Sequence, residues 1–191
     1  MPVKTVRGPR LVFVLKDGIR GHESQSAGIA WWLQRLAGSE ILEIDIPGFS
    51  GFERFLRLKV LARRLRGGNG RVCSNWLDGS GGDGIRKLIL ERISTAGVKA
   101  KDVLFLSAGS SVAPWCLALS RVTGAKCCTI MTPSVLGTFP FDYAIVPEHD
   151  FPEPSPNILA TLGAPNMIRP ELLESSGALL TSRFPSNHEE R

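Results

Sequence analysis

Five consecutive apolar residues, Leu11-Val-Phe-Val-Leu15, are followed by Asp17-Gly18, and then by Ile29, Trp32, Leu33 and Leu36 at positions that share one helical face. An apolar run without polar alternation reads as a strand buried on both sides, and a 3.6-residue period reads as an amphipathic helix. Strand, glycine-containing loop and helix start is how α/β proteins present unpaired backbone N–H groups to anions and hydroxyl-rich ligands. The intervening stretch holds Asp17, Gly18, Arg20, Gly21, His22, Gln25 and Ser26. That is more polar chemistry than a plain connection needs. The helix is expected over 24–37, with Ser24 or Ser26 available as its N-cap.

The same alternation continues along the chain. Strands are expected near 11–16, 40–46, 102–107, 126–131, 142–146 and 158–162, and helices near 24–37, 50–66, 84–96, 111–123 and 169–180. Strands separated by helices call for parallel pairing through crossover connections. The expected fold is therefore α/β: a doubly wound, mainly parallel, six-stranded Rossmann-like sheet with helices on both faces. Gly67-Gly68-Asn69-Gly70 is read as the end of the second helix, and Asp78–Gly84 as a flexible loop. Residues 1–180 form one expected domain. The polar stretch 181–191 reads as a linker towards a second one.

Composition narrows the classes. Of 191 residues, 43% are hydrophobic and 21% charged, which are globular values. No apolar run approaches the ~20 residues of a membrane-spanning helix. The basic N-terminus leads into an apolar run too short for a signal-peptide core, so a cytoplasmic location is expected. Cys73, Cys116, Cys127 and Cys128 form no CxxC pair, and inert buried thiols are the expectation. With three histidines, one of them in the tail, no metal site is expected, and nothing calls for a cofactor.

Polar residues collect just after the expected strands, where a doubly wound sheet binds ligands. They are Asp17–Ser26 after the first strand, Gly109, Ser110 and Ser111 after the third, and Thr132 after the fourth. Glu148, His149 and Asp150 follow the fifth, and Asn166 the sixth. In a parallel sheet all these clusters share one rim. His22 is the candidate general base or ligand donor, because an imidazole titrates near neutrality; it could equally orient the loop. In Glu148-His149-Asp150 consecutive side chains point to opposite sides, so one of the three is expected to face the rim. The chain has no G-x-x-x-x-G-K-[ST], no G-x-G-x-x-G and no G-x-S-x-G. A hydrolase using His22 or His149 would need a nucleophile with a partnered base, and none is visible.

Charge is concentrated in one segment. Between Phe52 and Arg71 stand Arg54, Arg57, Lys59, Arg63, Arg64, Arg66 and Arg71 against Glu53 alone, enough to account for the whole chain's net +5. Phe55, Leu58, Ala62 and Leu65 form one helical stripe, assigned to the core. Phe52, Leu56 and Val60 form a second, with basic residues beside it. Such a helix suits an anionic membrane surface or another protein, through Phe52, Leu56, Arg57, Val60, Arg63 and Arg64. It also suits a helix packed in its own fold with a solvated face. Without an aromatic platform, nucleic acid is not an expected partner.

Three segments resemble signatures of the ELM-type mitochondrial fission family: Asp17-Gly-x-x-Gly-His-x-x-Gln25, Phe141-Asp-Tyr-Ala-Ile-Val-Pro-Glu-His-Asp150 and Asn157-x-Leu-x-Thr-Leu-Gly-Ala-Pro-Asn166. Members of that family look like GT-B glycosyltransferases, with two Rossmann-like domains facing a cleft. The first holds the acceptor and the second the nucleotide-sugar. The resemblance implies that these 191 residues are the acceptor-side domain, inactive without the donor half. It also implies kinship with the enzyme that adds N-acetylglucosamine to a lipid-linked peptidoglycan precursor. By that likeness Asp17–Gln25 lines the acceptor side, His22 is the base, and the 52–66 segment is the membrane contact. The alternative is a non-catalytic membrane-peripheral or protein-binding module. Two loops depart from the family pattern. Gly109-Ser-Ser-Val-Ala-Pro114 stands where Gly-Arg-Arg-Thr-Ala-Pro is expected, and Met131-Thr-Pro-Ser134 where Gln-Asp-Pro-Arg is expected. Both changes remove charge from the places where an anion would sit.

Overall fold

The apolar run Leu11–Lys16 forms strand β1, buried along Leu11–Leu15 as its lack of alternation requires. The computed structural model describes residues 6–184. The remaining strands are β2 (Glu40–Asp45), β3 (Val103–Ala108), β4 (Lys126–Ile130), β5 (Tyr143–Pro147) and β6 (Ile158–Thr161). They form one sheet in the order β2-β1-β3-β4-β5-β6, with every neighbouring pair parallel. The expected α/β architecture is present, and all six carboxyl ends share one rim.

The two faces are covered unequally. Leu11, Phe13, Leu15, Val103, Phe105 and Cys127 face the larger core, built with α3 (Gly70–Gly79), α4 (Asp83–Ala96) and α5 (Ala113–Thr123). Phe13 stacks on Phe105 at 5.2 Å, and Trp115 meets Trp76 edge-on at 5.2 Å. Trp115 is fully buried, so its loss to Ala would cost about 3–5 kcal/mol. On the other face Val12, Val14, Leu104, Leu106 and Cys128 pack with Ala30, Ile29 and Leu33 of α1 (Arg20–Ala37). The last helix, α6 (Pro170–Arg183), carries exposed leucines. None of the described helices is long and apolar enough to cross a membrane.

Four local readings are corrected. First, α1 begins at Arg20, so Gly21, His22 and Gln25 sit on its first turns and neither Ser24 nor Ser26 is an N-cap. The Asp17 carboxylate takes the Ile19 N–H at 3.2 Å and starts the helix early. Second, the expected single helix over 50–66 is an α-turn, α2 (Gly51–Phe55), running into a π-turn (Leu56–Val60) and a 3₁₀ stretch (Leu61–Leu65). Leu58, Ala62 and Leu65 are buried as assigned, but Phe55 is 56% exposed, because it lies before the widened turn and leaves the stripe. Third, α3 is a helix the sequence reading lacks, and the expected loop Asp78–Gly84 shrinks to residues 80–82 between α3 and α4. The Asn69 side chain accepts the Arg71 and Val72 N–H groups, an N-cap worth about 1 kcal/mol, and Cys73, Trp76 and Leu77 face the core. Fourth, α6 runs to Arg183, past the expected end at Leu180. The rest of the 181–191 stretch, from Pro185, lies outside the described residues.

All four cysteines are buried and free. Burial pushes the Cys127 thiol up to about 11 and Cys128 to about 12, which leaves both unreactive at neutral pH.

Candidate functional site

β1 pairs with β2 on one side and β3 on the other, and α1 and α5 leave these strands on opposite faces of the sheet. The carboxyl ends of β1 and β3 therefore flank a topological switch point, where open α/β sheets form a crevice. Asp17 is the first residue beyond β1. Its Oδ2 accepts hydrogen bonds from His22 Nδ1 at 2.9 Å and from the Ser111 hydroxyl; its Oδ1 accepts from the Ile19 N–H. Only 9% of the Asp17 side chain is exposed, against 24% for His22. Burial pushes the Asp17 carboxyl up, but the hydrogen bonds from Ser111, His22 and Ile19 outweigh it and hold the group below its ordinary value. A carboxylate only accepts, so His22 carries its proton on Nδ1 when neutral, and Nε2 is left as an acceptor.

The imidazole lies against Gly109, the first residue after β3. A Cβ there would stand 2.5 Å from His22 Nδ1, and φ is +90°, so glycine meets both demands.

Next to His22 opens a cavity of about 830 Å³. Ile19 and His22 line it from the β1 side, Gly109, Ser110 and Ser111 from β3, and Met131 and Thr132 from β4. Phe139 lines it from the β4–β5 connection, Asp150, Phe151 and Glu153 from the β5–β6 connection, and Arg54 and Arg66 from the basic segment. The two non-glycine residues with positive φ among those described, Met131 (66°) and Phe151 (48°), both line this cavity. Such backbone costs on the order of 1–3 kcal/mol per residue and collects at functional sites.

Hydrogen bonds tie the walls together. Ser110 Oγ accepts the Ser134 N–H at 2.9 Å, Lys59 Nζ donates to Ser134 Oγ at 3.0 Å, and Arg66 Nε donates to the Leu136 carbonyl at 3.1 Å. The model of the Mitochondrial fission ELM1 family matches residues 20–191. The chain belongs to that family. No curated protein and no solved structure matches it.

In this ELM1-family chain, His22, Gly109, Ser110, Ser111, Thr132 and Asp150 come together at the cavity, with Asp17 holding His22. The other sequence candidates do not line it. Gly18 turns the chain at φ 79° before α1, and Gly21 lies within α1. Gln25 Nε2 reaches Met131 Sδ at 3.8 Å, and its Oε1 is buried without a partner among the described residues. Ser26 is buried in α1, among the residues that helix turns inward. Glu148 and His149 are exposed; of their trio, Asp150 turns to the cavity, 3.8 Å from His149 Nε2. Asn166 takes the Ile168 N–H at 2.8 Å, and its backbone rests on Gly28 of α1.

Sequence reasoning missed Arg54, Arg66, Met131, Phe139 and Phe151. Arg54 and Arg66 were counted among the basic residues, but twelve positions apart they gave no sign of sharing a wall. The rest of the segment divides. Arg57 pairs with Glu53 at 3.0 Å and covers the Phe49 ring at 5.8 Å. Phe52, Val60, Arg63 and Arg64 are exposed, and Leu56 is half-buried.

Proposed function

We propose that this chain is the acceptor-side half of a GT-B-like glycosyltransferase, in which His22 takes the proton from a hydroxyl of a sugar-like acceptor. The observation that carries this reading is the Asp17–His22 hydrogen bond at the edge of the cavity. An ionised carboxylate on Nδ1 fixes the tautomer and stabilises the imidazolium that forms when Nε2 accepts a proton. The freed oxygen would attack the anomeric carbon of a nucleotide-sugar. The bond from that carbon to the diphosphate would break, and the diphosphate would leave with the electron pair. The donor would be presented by a second domain facing this rim, as the family likeness implies; no cofactor is required.

The test is a titration of the chain with methyl N-acetylglucosaminide, followed through the imidazole resonances of His22 and, in His22→Ala, by calorimetry. The expected result is a shift of those resonances and loss of binding in His22→Ala. UDP should bind no tighter than inorganic pyrophosphate. Micromolar UDP affinity that depends on the uridine would put the donor site in this half and overturn the assignment.

A second reading is favoured by a specific observation. Phe52 and Phe55 are 76% and 56% exposed, and Arg63 and Arg64 are exposed on the same helical segment. Exposed aromatics among cations suit the interface of an anionic membrane. Co-sedimentation with phosphatidylglycerol vesicles should be salt-sensitive and should fall in Phe52→Ser/Phe55→Ser. Equal sedimentation with phosphatidylcholine alone would remove this reading.

A further inference from the structure

The cavity beside His22 is lined by two arginines that pair with no carboxylate among the described residues. Arg54 makes no side-chain hydrogen bond or ion pair among the described residues, although it lines the cavity. Arg66 spends only its Nε on the Leu136 carbonyl, which leaves its terminal nitrogens without a carboxylate among the described residues. Among the described residues two other arginines pair with carboxylates. Arg57 pairs with Glu53, and Arg86 pairs with both Asp78 and Asp83.

The same space is also lined by Asp150 and Glu153, and by Phe139 and Phe151, which are 86% and 88% exposed. A guanidinium presents a planar fork of N–H donors that matches phosphate oxygens, whereas a carboxylate repels phosphate and accepts from hydroxyls. A ligand that satisfies both sets must be anionic at one end and rich in hydroxyl donors at the other. Phenyl rings standing free of the core offer apolar faces to the C–H surface of a sugar ring. Holding Phe151 at φ 48° costs backbone energy that packing does not repay, since the ring touches little protein.

The geometry points to a subsite for a phosphorylated sugar, with the phosphoryl group on Arg54 and Arg66, the ring hydroxyls on Asp150 and Glu153, and the ring against Phe139 and Phe151. The inference rests on the acceptor reading above and adds that the acceptor is a phosphate ester. It also accounts for the uncharged Gly109-Ser-Ser111 and Thr132-Pro-Ser134 loops: positive charge reaches the site from a segment remote in sequence. Soluble and lipid-linked phosphate esters share this chemistry, and the test separates the two.

Calorimetry of the full chain would compare N-acetylglucosamine 1-phosphate with the neutral methyl N-acetylglucosaminide. The phosphate ester should bind at least about tenfold more tightly, the worth of one or two charge-assisted hydrogen bonds. The advantage should shrink with salt and vanish in Arg54→Gln/Arg66→Gln. Arg54→Gln alone should remove part of it without lowering the melting temperature, because that side chain makes no hydrogen bond or ion pair among the described residues. Phosphatidylcholine vesicles carrying a polyprenyl phosphate sugar form the second arm. Capture of those vesicles that depends on Arg54 and Arg66 supports the subsite and assigns it a lipid-linked ester; binding of the soluble ester alone supports it and assigns a soluble one. An advantage that is absent in the wild-type chain, or that survives the double substitution, overturns the subsite. If glycoside binding then remains dependent on His22, the acceptor reading still stands. If instead the glycoside fails to bind while Arg-dependent phosphate binding persists, the acceptor reading falls and the subsite remains.

Discussion

His22 Nδ1 lies 2.9 Å from Asp17 Oδ2, which joins the first turn of α1 to the end of β1. Because the carboxylate can only accept, neutral His22 should be the Nδ1–H tautomer. A long-range ¹H–¹⁵N spectrum of the wild-type chain should show Nε2 as the unprotonated nitrogen. Asp17→Ala should give a mixture of tautomers. It should also lose on the order of 1–3 kcal/mol of stability, since Ser111 and Ile19 lose the same acceptor. A wild-type spectrum with protonated Nε2 would refute the pairing.

Gly109→Ala should displace the imidazole and strain the backbone together. The new Cβ would stand 2.5 Å from His22 Nδ1 at a φ of +90°. A loss of about 1–3 kcal/mol is expected, or roughly 2–4 °C of melting temperature per kcal/mol. Gly21→Ala is the matched control. It lies in α1 with nothing within 4 Å of its added Cβ, so it should stabilise by up to about 1 kcal/mol. Thermal unfolding of the two variants should move in opposite directions, and the His22 resonances should shift strongly in Gly109→Ala.

The sheet was legible in the sequence because its central strands are buried on both faces, and a run such as Leu11–Leu15 admits few other readings. His22 and Ser111 were legible as rim residues for the same reason: strand ends fix the rim. Their shared bond to Asp17 was not, since Ser111 lies ninety-four positions away and only the β1–β3 pairing brings it close. The 50–66 segment failed as a single helix because its hydrophobic period is nearly helical, while a π-turn moves Phe55 out of the stripe. Helix α3 was hidden by flanking glycines, although Asn69 followed by Val72, Cys73, Trp76 and Leu77 carries both a cap and an i, i+4 face.

Acid should weaken the junction between β4 and β5. Asp142 accepts from Lys126 Nζ at 2.6 Å and from the Cys127 N–H at 3.0 Å. Burial pushes its carboxyl up, but these bonds prevail and hold it below the ordinary 3.8. A lowered folded value means that the group contributes stability above the unfolded value, and that this stability is lost as pH falls through the folded one. Asp17 behaves alike, because its shift has the same sign. Unfolding free energy measured in urea should therefore drop below about pH 4. In Asp142→Asn the drop should be shallower and stability at neutral pH lower. An unchanged slope would show that Asp142 is not coupled to folding.

Gly28→Ala should release the segment that carries the chain from β6 to α6. The added Cβ would lie 2.6 Å from the Asn166 carbonyl carbon, and that neighbour is backbone, which cannot rotate away. The same crossing is held by the Met167 N–H on Ser24 Oγ at 3.4 Å and by Arg169 over the Trp31 ring at 4.9 Å. These contacts are modest, so the segment rather than α1 should yield. Alanine even favours the helix by about 1 kcal/mol relative to glycine. Hydrogen exchange should accelerate at residues 164–169 in Gly28→Ala, while β1, β3 and the His22 tautomer stay as in the wild-type chain. Faster exchange in α1 itself would mean that the helix had moved instead, and that residues 164–169 are held by more than the rest of Asn166 on Gly28.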